Sequence, residues 1–97
     1  MNNKIVNWGV ISCAGIADTA VMPGINAANN ATLYAISSRS KQKLEEYSQK
    51  HKPVKTYESY DDLLDDPEID AVYIPLPNAL HCQWVFKAAE KKKHILC

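Results

Sequence analysis

Residues able to do chemistry gather at three places along the chain. The first is the turn Ser12-Cys13-Ala14-Gly15-Ile16-Ala17, which follows an apolar run from Ile5 to Ile11 and leads into a helix beginning near Gly15. A strand, a tight turn of small residues and a helix N-terminus together make an anion site. The first N–H groups of a helix have no intrahelical partner, and the helix dipole favours negative charge there. Small side chains also let a pyrophosphate approach the main chain. The dinucleotide fingerprint is G-x-G-x-x-G/A, whereas this turn offers Ser12-x-Ala14-x-x-Ala17. Ser12 and Ala14 add bulk where glycine would be free to take positive φ. The alternative is a plain strand-to-helix turn. A helix N-terminus lowers a thiol pKa, but the sequence offers Cys13 no partner base, so it reads as a small turn residue.

The second place is Ser37-Ser38-Arg39, about twenty residues on, where an NAD-specific domain sets an Asp or Glu against the ribose 2′-hydroxyl. No carboxylate stands in this window. Two hydroxyls and a guanidinium suit a 2′-phosphate, which arginine grips bidentately, and Lys43 adds a point charge one helical turn later. The expected cofactor is therefore NADP, with NAD possible; the alternative is a solvated arginine in a capping loop. The third place is Pro75 to His81. Histidine titrates near neutral pH, yet one in the first turn of a helix is often only structural. His51 and His94 read as surface or strand-edge residues. Asp61-Asp62 and Asp65-Asp66 read as solvated charges within and after a short helix, and no metal site is expected.

The elements that position these stretches alternate. Ile5 to Ile11 is a near-continuous apolar strand, as a central parallel strand covered on both faces requires. A first helix runs from Gly15 to about Met22 and is interrupted or restarted at Pro23-Gly24; Asn29-Asn30 ends that crossover. Thr32 to Ser37 is a second strand, and Ser40 caps a helix from about Lys41 to Lys50 with Leu44 and Tyr47 on one face. Val54 to Tyr57 is a third strand. Ser59 caps a short helix carrying Tyr60, Leu63 and Leu64, which stops before Pro67. Ile69 to Ile74 is a fourth strand, Ala79 to about Lys92 a helix with Trp84, Val85, Ala88 and Ala89, and His94 to Cys97 a fifth strand. Such alternation specifies an α/β fold: a parallel sheet in the order 3-2-1-4-5 with helices on both faces. The order reverses between strands 1 and 4, and ligands of open α/β sheets bind at that point, beyond the carboxyl ends of the strands. All three stretches end at that edge.

The bulk composition excludes several classes. With 97 residues the chain makes one domain, and 46% hydrophobic and 23% charged residues describe an ordinary globular protein. Eleven basic and eleven acidic residues leave zero net charge, so no nucleic acid or anionic membrane is expected as a partner. Lys91-Lys92-Lys93 is expected to complement the dipole at a helix C-terminus. No apolar run approaches a transmembrane length, and no signal peptide is evident. Cys13, Cys82 and Cys97 lack a C-x-x-C spacing, which fits reduced thiols and a cytoplasmic location better than zinc or disulfides.

Taken in order, Trp8-Gly9-Val10-Ile11, Gly15-Ile16-Ala17, Ala35-Ile36-Ser37-Ser38-Arg39, Tyr57-x-Ser59-Tyr60-Asp61-Asp62-Leu63-Leu64, Ile69-Asp70-Ala71-Val72-Tyr73-Ile74 and Pro77-Asn78-x-Leu80-His81 resemble the N-terminal Rossmann domain of the Gfo/Idh/MocA family of oxidoreductases. The resemblance covers essentially the whole chain. It implies NAD(P)-dependent hydride transfer on a sugar, polyol or related cyclic alcohol in a full-length parent. The pyrophosphate would meet the backbone of Ser12, Cys13, Ala14, Gly15, Ile16 and Ala17. Leu76, Pro77 and Asn78 would line the nicotinamide-ribose side, with His81 beside them. The family's catalytic lysine sits in a Glu-Lys-Pro motif directly after the fifth strand, and a substrate domain follows. Neither lies within this sequence, so the expectation is a truncated, inactive domain with no catalytic residue of its own and an uncovered fifth-strand edge open to self-association. A non-catalytic nucleotide-binding or sensing module of the same fold is the alternative. A receiver-like fold would need an acidic pocket after strand 1, and Ser12-Cys13-Ala14 supplies none.

Overall fold

The computed structural model describes residues 5–13, 15, 17–76 and 78–96; of the residues singled out above, Ala14, Ile16, Pro77 and Cys97 lie outside them. Strands β1 (Val6–Ile11), β2 (Ala31–Ser37), β3 (Lys55–Tyr57), β4 (Ala71–Tyr73) and β5 (His94–Leu96) form one parallel sheet in the expected order β3-β2-β1-β4-β5. Between them run α1 (Met22–Ala27), α2 (Lys41–His51), α3 (Tyr60–Leu64) and α4 (Asn78–Glu90).

The central strands bury both faces, which explains their unbroken apolar runs. Successive side chains of a strand point to opposite sides, so Ile11 and Ala35 join one core while Val10 and Ile36 join the other. The first core takes Tyr60, Leu63 and Leu64 from α3 and Trp84 and Ala88 from α4. The second takes Met22 and Ile25 from α1 and Leu44 from α2. Tyr60 and Trp84 meet edge to face, with ring centroids 5.1 Å apart and planes at 82°. Gly9 is required by close approach rather than by backbone conformation. A Cβ there would stand 2.7 Å from Leu63 Cδ2 and 3.3 Å from two Ile69 carbons, so glycine lets α3 sit down on β1.

The two serine caps form as the sequence leads one to expect. Ser40 Oγ accepts the Lys43 N–H at 3.3 Å, and Ser59 Oγ accepts the Asp62 N–H at 3.4 Å. Lys52 closes α2 in the left-handed conformation, φ 52°.

Five expectations need correction. The first crossover helix restarts at Pro23 as expected, with α1 beginning at Met22, but the stretch before it is no regular α-helix: Ala17–Val21 form a wide π-type turn. Proline fits the first turn of α1 because its missing N–H has no partner to lose. His51 is buried rather than on the surface, packed edge-on to Tyr47 at 6.1 Å, and its carbonyl accepts a hydrogen bond from Asn26 Nδ2. Asp66 is buried, unlike its solvated neighbours Asp61, Asp62 and Asp65. Its carboxylate accepts hydrogen bonds from the Tyr57 hydroxyl (2.6 Å) and the Glu68 N–H (2.9 Å), with Lys55 Nζ at 3.6 Å. Finally, α4 stops at Glu90, and Lys93 is no dipole complement. Its ammonium donates to the carbonyls of Asp66 (2.7 Å) and Ile69 (2.6 Å), stitching the β5 approach to the loop before β4. Ala89, grouped with the apolar face of α4, is exposed.

Burial alone would raise the Asp66 pKa, but the hydrogen bonds from Tyr57 and Glu68, together with Lys55, outweigh it and hold the carboxyl below its ordinary range. A carboxyl depressed on folding stabilises the fold above the unfolded pKa of about 4, and that contribution is lost as pH falls through the folded value. Asp66→Asn is therefore expected to lower stability at neutral pH by about 1–3 kcal/mol and to flatten the loss below about pH 4, read from urea unfolding at several pH values. Gly9→Ala is expected to cost about 1–3 kcal/mol by overpacking against the buried Leu63 and Ile69, lowering the thermal midpoint by several degrees.

Candidate functional site

Pairing of β1 with both β2 and β4 sets three strand ends side by side, Ile11 opposite Ser37 and Val10 opposite Tyr73. The residues that follow, Ser12, Ser38 and Ile74, form the rim of the crevice where the strand order reverses. Hydrogen bonds fix that rim. The Ser12 N–H donates to the Ser37 carbonyl at 3.0 Å, and the Ser37 hydroxyl donates to the Val10 carbonyl at 3.0 Å. The buried Cys13 thiol donates to the Ser37 carbonyl at 3.7 Å. Cys13 is thus held in the turn as a small packed residue, in line with the sequence. Ser37 spends its hydroxyl between two strands, so the pair of hydroxyls read from the sequence reduces to Ser38.

Ser12 takes φ 93°, the left-handed side of the map that favours glycine. The first glycine of the fingerprint has been replaced without the backbone giving up its shape. Gly15 is exposed, and a Cβ added there would meet nothing within 4 Å, so the turn is open on its outer side. Its carbonyl accepts the Thr19 hydroxyl at 3.1 Å, and Ala17 is fully buried beneath it.

At the end of β2, the Ser38 N–H donates to the Tyr57 carbonyl (3.3 Å), and the Ser38 hydroxyl accepts the Ser40 N–H (3.0 Å). This small turn projects Arg39 outward. Its guanidinium carbon lies 5.1 Å from the centre of the Tyr60 ring, a cation–π arrangement linking the β2 loop to the first residue of α3. Lys43 is exposed on the first turn of α2. On the other side of β1, Leu76 is half-buried against the α3–α4 core, Asn78 opens α4, and His81 is half-buried in the same turn. Tyr60 went unnoticed as a site residue in the sequence. Its signal, an aromatic directly after the Ser59 cap, is indistinguishable there from an ordinary core position.

A groove of about 610 Å³ lies elsewhere, between α2 and the outer edge of β3, lined by Leu44, Glu45, Gln49, Thr56 and Glu58 among others. Its charges are mixed and solvated, and although it reaches the end of β3 at Tyr57 and Glu58, none of Ser12, Ser38 or Ile74 lines it. Among the described residues, no three His, Cys, Asp or Glu side chains cluster to hold a metal, and no helix is long and apolar enough to cross a membrane.

The topology, the glycine-like turn and the crevice define a dinucleotide-binding domain of the Rossmann type. Residues 6–97 match the model of an oxidoreductase family with an NAD-binding Rossmann fold, and the chain belongs to that family, Gfo/Idh/MocA. It is 43% identical over 93 residues to an uncharacterized oxidoreductase of Rhizobium meliloti, covering 96% of this chain and 28% of that one. It is 39% identical over 90 residues to an NADP-dependent D-xylose 1-dehydrogenase of Haloferax volcanii, covering 93% and 27%. A 3-ketoreductase from Actinomadura kijaniata, crystallised with NADP and TDP-benzene, superposes with a TM-score of 0.91 at 33% identity, covering 96% of this chain and 28% of the other. The chain therefore spans little more than a quarter of the length of these relatives.

The strained position makes a direct check. Ser12→Gly is expected to stabilise the fold by about 0.5–1 kcal/mol, because relief of positive φ exceeds the added freedom of the unfolded chain. Ser12→Val, β-branched at the same φ, is expected to destabilise by more than about 1 kcal/mol. Urea unfolding of the three chains measures both.

Proposed function

We propose that this chain is the NADP-binding domain of an oxidoreductase acting on a sugar, a sugar nucleotide or a related cyclic alcohol or ketone. The observation that carries the reading is the end of β2. There Arg39 stands exposed with its guanidinium carbon over the Tyr60 ring, 5.1 Å from its centre, and no carboxylate occupies the Ser37-Ser38-Arg39 window. A ribose 2′-hydroxyl would want an acidic acceptor at this point; a 2′-phosphate wants a bidentate cation. The named relatives support the choice of cofactor and the sugar-like substrate class.

In this reading the donor set fits the cofactor. The backbone from Ser12 to Ala17 holds the pyrophosphate, the positive φ of Ser12 turning the chain out of β1 and the open face of Gly15 leaving room for the phosphates. Ser38 and Arg39 hold the 2′-phosphate, and Lys43 adds positive potential without a fixed geometry. Leu76, Pro77 and Asn78 flank the nicotinamide ribose, with His81 beside them in the first turn of α4. NADP supplies the hydride chemistry when bound; the residues of this chain orient it and set its charge complement. The choice of substrate and the catalytic proton transfer fall to residues outside this sequence. Self-association through the β5 edge belongs to the same proposal: β5 pairs only with β4 among the described strands, and Leu96 is half-exposed at that edge.

Calorimetric titration of the chain with NADP and with NAD tests the reading. NADP is expected to bind at least about tenfold more tightly, the weight of one charge-assisted bidentate contact, and Arg39→Gln is expected to erase the difference. Equal binding, or tighter binding of NAD, would overturn it.

A further inference from the structure

We infer that Tyr60 is a specificity-positioning residue, a platform that holds the Arg39 guanidinium ready for the 2′-phosphate; the inference rests on the reading of Arg39 given above. Arginine is rich in rotamers, and an exposed one loses that freedom on gripping an anion unless something orders it first. Here something does. Arg39 Cζ lies 5.1 Å from the centre of the Tyr60 ring, and among the described residues no carboxylate pairs with the guanidinium. A cation–π contact draws on the charge of the guanidinium without pairing its N–H groups with an acceptor, so donors remain for a phosphate.

The platform itself is rigid. Tyr60 is only 8% exposed, and its ring meets the buried Trp84 of α4 edge to face at 5.1 Å. Tyr60 also follows directly on Ser59, whose hydroxyl caps α3. The stack Arg39–Tyr60–Trp84 thus runs from the β2 loop to α4, the helix that begins at the nicotinamide side of the crevice. It gives Tyr60 a task beyond filling the core: an aliphatic residue would fill the same space but leave the guanidinium unordered.

The test compares the ratio of NADP to NAD affinity in the wild-type chain, Tyr60→Phe, Tyr60→Leu, Arg39→Gln and the double variant Tyr60→Leu/Arg39→Gln. Loss of the ring in Tyr60→Leu is expected to lower the ratio about fivefold, the weight of one cation–π contact, and Tyr60→Phe to retain it. In the Arg39→Gln background, Tyr60→Leu should change the ratio no further. A merely structural role would weaken both cofactors alike, leave the ratio unmoved and overturn the inference, as would loss of the ratio in Tyr60→Phe. If Arg39→Gln removes the preference while Tyr60→Leu does not, the inference fails and the reading of Arg39 stands. If Arg39→Gln itself has no effect, both fail. Should Tyr60→Leu not fold, the wild-type chain decides. The Arg39 δ-protons should be shifted upfield by the Tyr60 ring, with cross-peaks to it that persist when NADP saturates the chain; their loss on binding would overturn the platform.

Discussion

Everything in this domain depends on β1 pairing in parallel with a strand on each side. Because β2 and β4 flank it, neither edge of β1 is free and neither face is solvated. Val10 and Ile11 each lie in a different core. Parallel neighbours also force each connection to return across the sheet, with α1 and α2 on one face of β1 and α3 and α4 on the other. That divergence opens the crevice, and the common strand direction points Ser12, Ser38 and Ile74 to the same rim. Gly9 belongs to the same constraint. By letting Leu63 and Ile69 approach to within 3.3 Å of where its Cβ would be, it allows α3 to press against β1 and carry Tyr60 up beside the β2 loop.

The turn after β1 preserves a shape rather than a composition. Ser12 keeps a positive φ that glycine would adopt without strain, and it does so because its neighbours over-determine it. Its own N–H is committed to Ser37, and Cys13 behind it is buried with its thiol on the same carbonyl. A fingerprint written as a string of glycines misses this, since what matters is the backbone conformation and the space in front of it. The end of β2 works in the same way. The Ser37 hydroxyl is spent on the Val10 carbonyl, the Ser38 oxygen builds the turn by accepting the Ser40 N–H and keeps its own O–H to donate, and Arg39 faces outward.

Much of this was legible in the amino-acid order. The alternation of apolar runs with capped polar segments specified the sheet order, and Ser40 and Ser59 marked the starts of α2 and α3 through local chemistry. What escaped depends on partners distant in sequence. Asp66 reads as one more solvated acid until Tyr57 and Lys55 arrive from β3 and Lys93 from beyond α4. His51 reads as a polar helix end until α1 covers it, with Asn26 on its carbonyl. The π-type turn at Ala17–Val21 has no sequence signature of its own; Pro23 marks only where regular α-helix resumes. Arg39 was singled out by its type and position, but the ring beneath it lies 21 residues later in a segment whose pattern speaks only of core.

The central claim is that the rim formed by the ends of β1, β2 and β4 is the cofactor site. Two-dimensional amide NMR during a titration with NADP tests it most directly. The account predicts that the perturbed amides are those of Ser12, Cys13, Gly15, Ser38, Arg39 and Leu76, three separate stretches of sequence that only this topology brings together. Perturbations confined to α2 and the outer edge of β3, around Leu44, Gln49 and Thr56, would contradict it, as would a spectrum that NADP leaves unchanged.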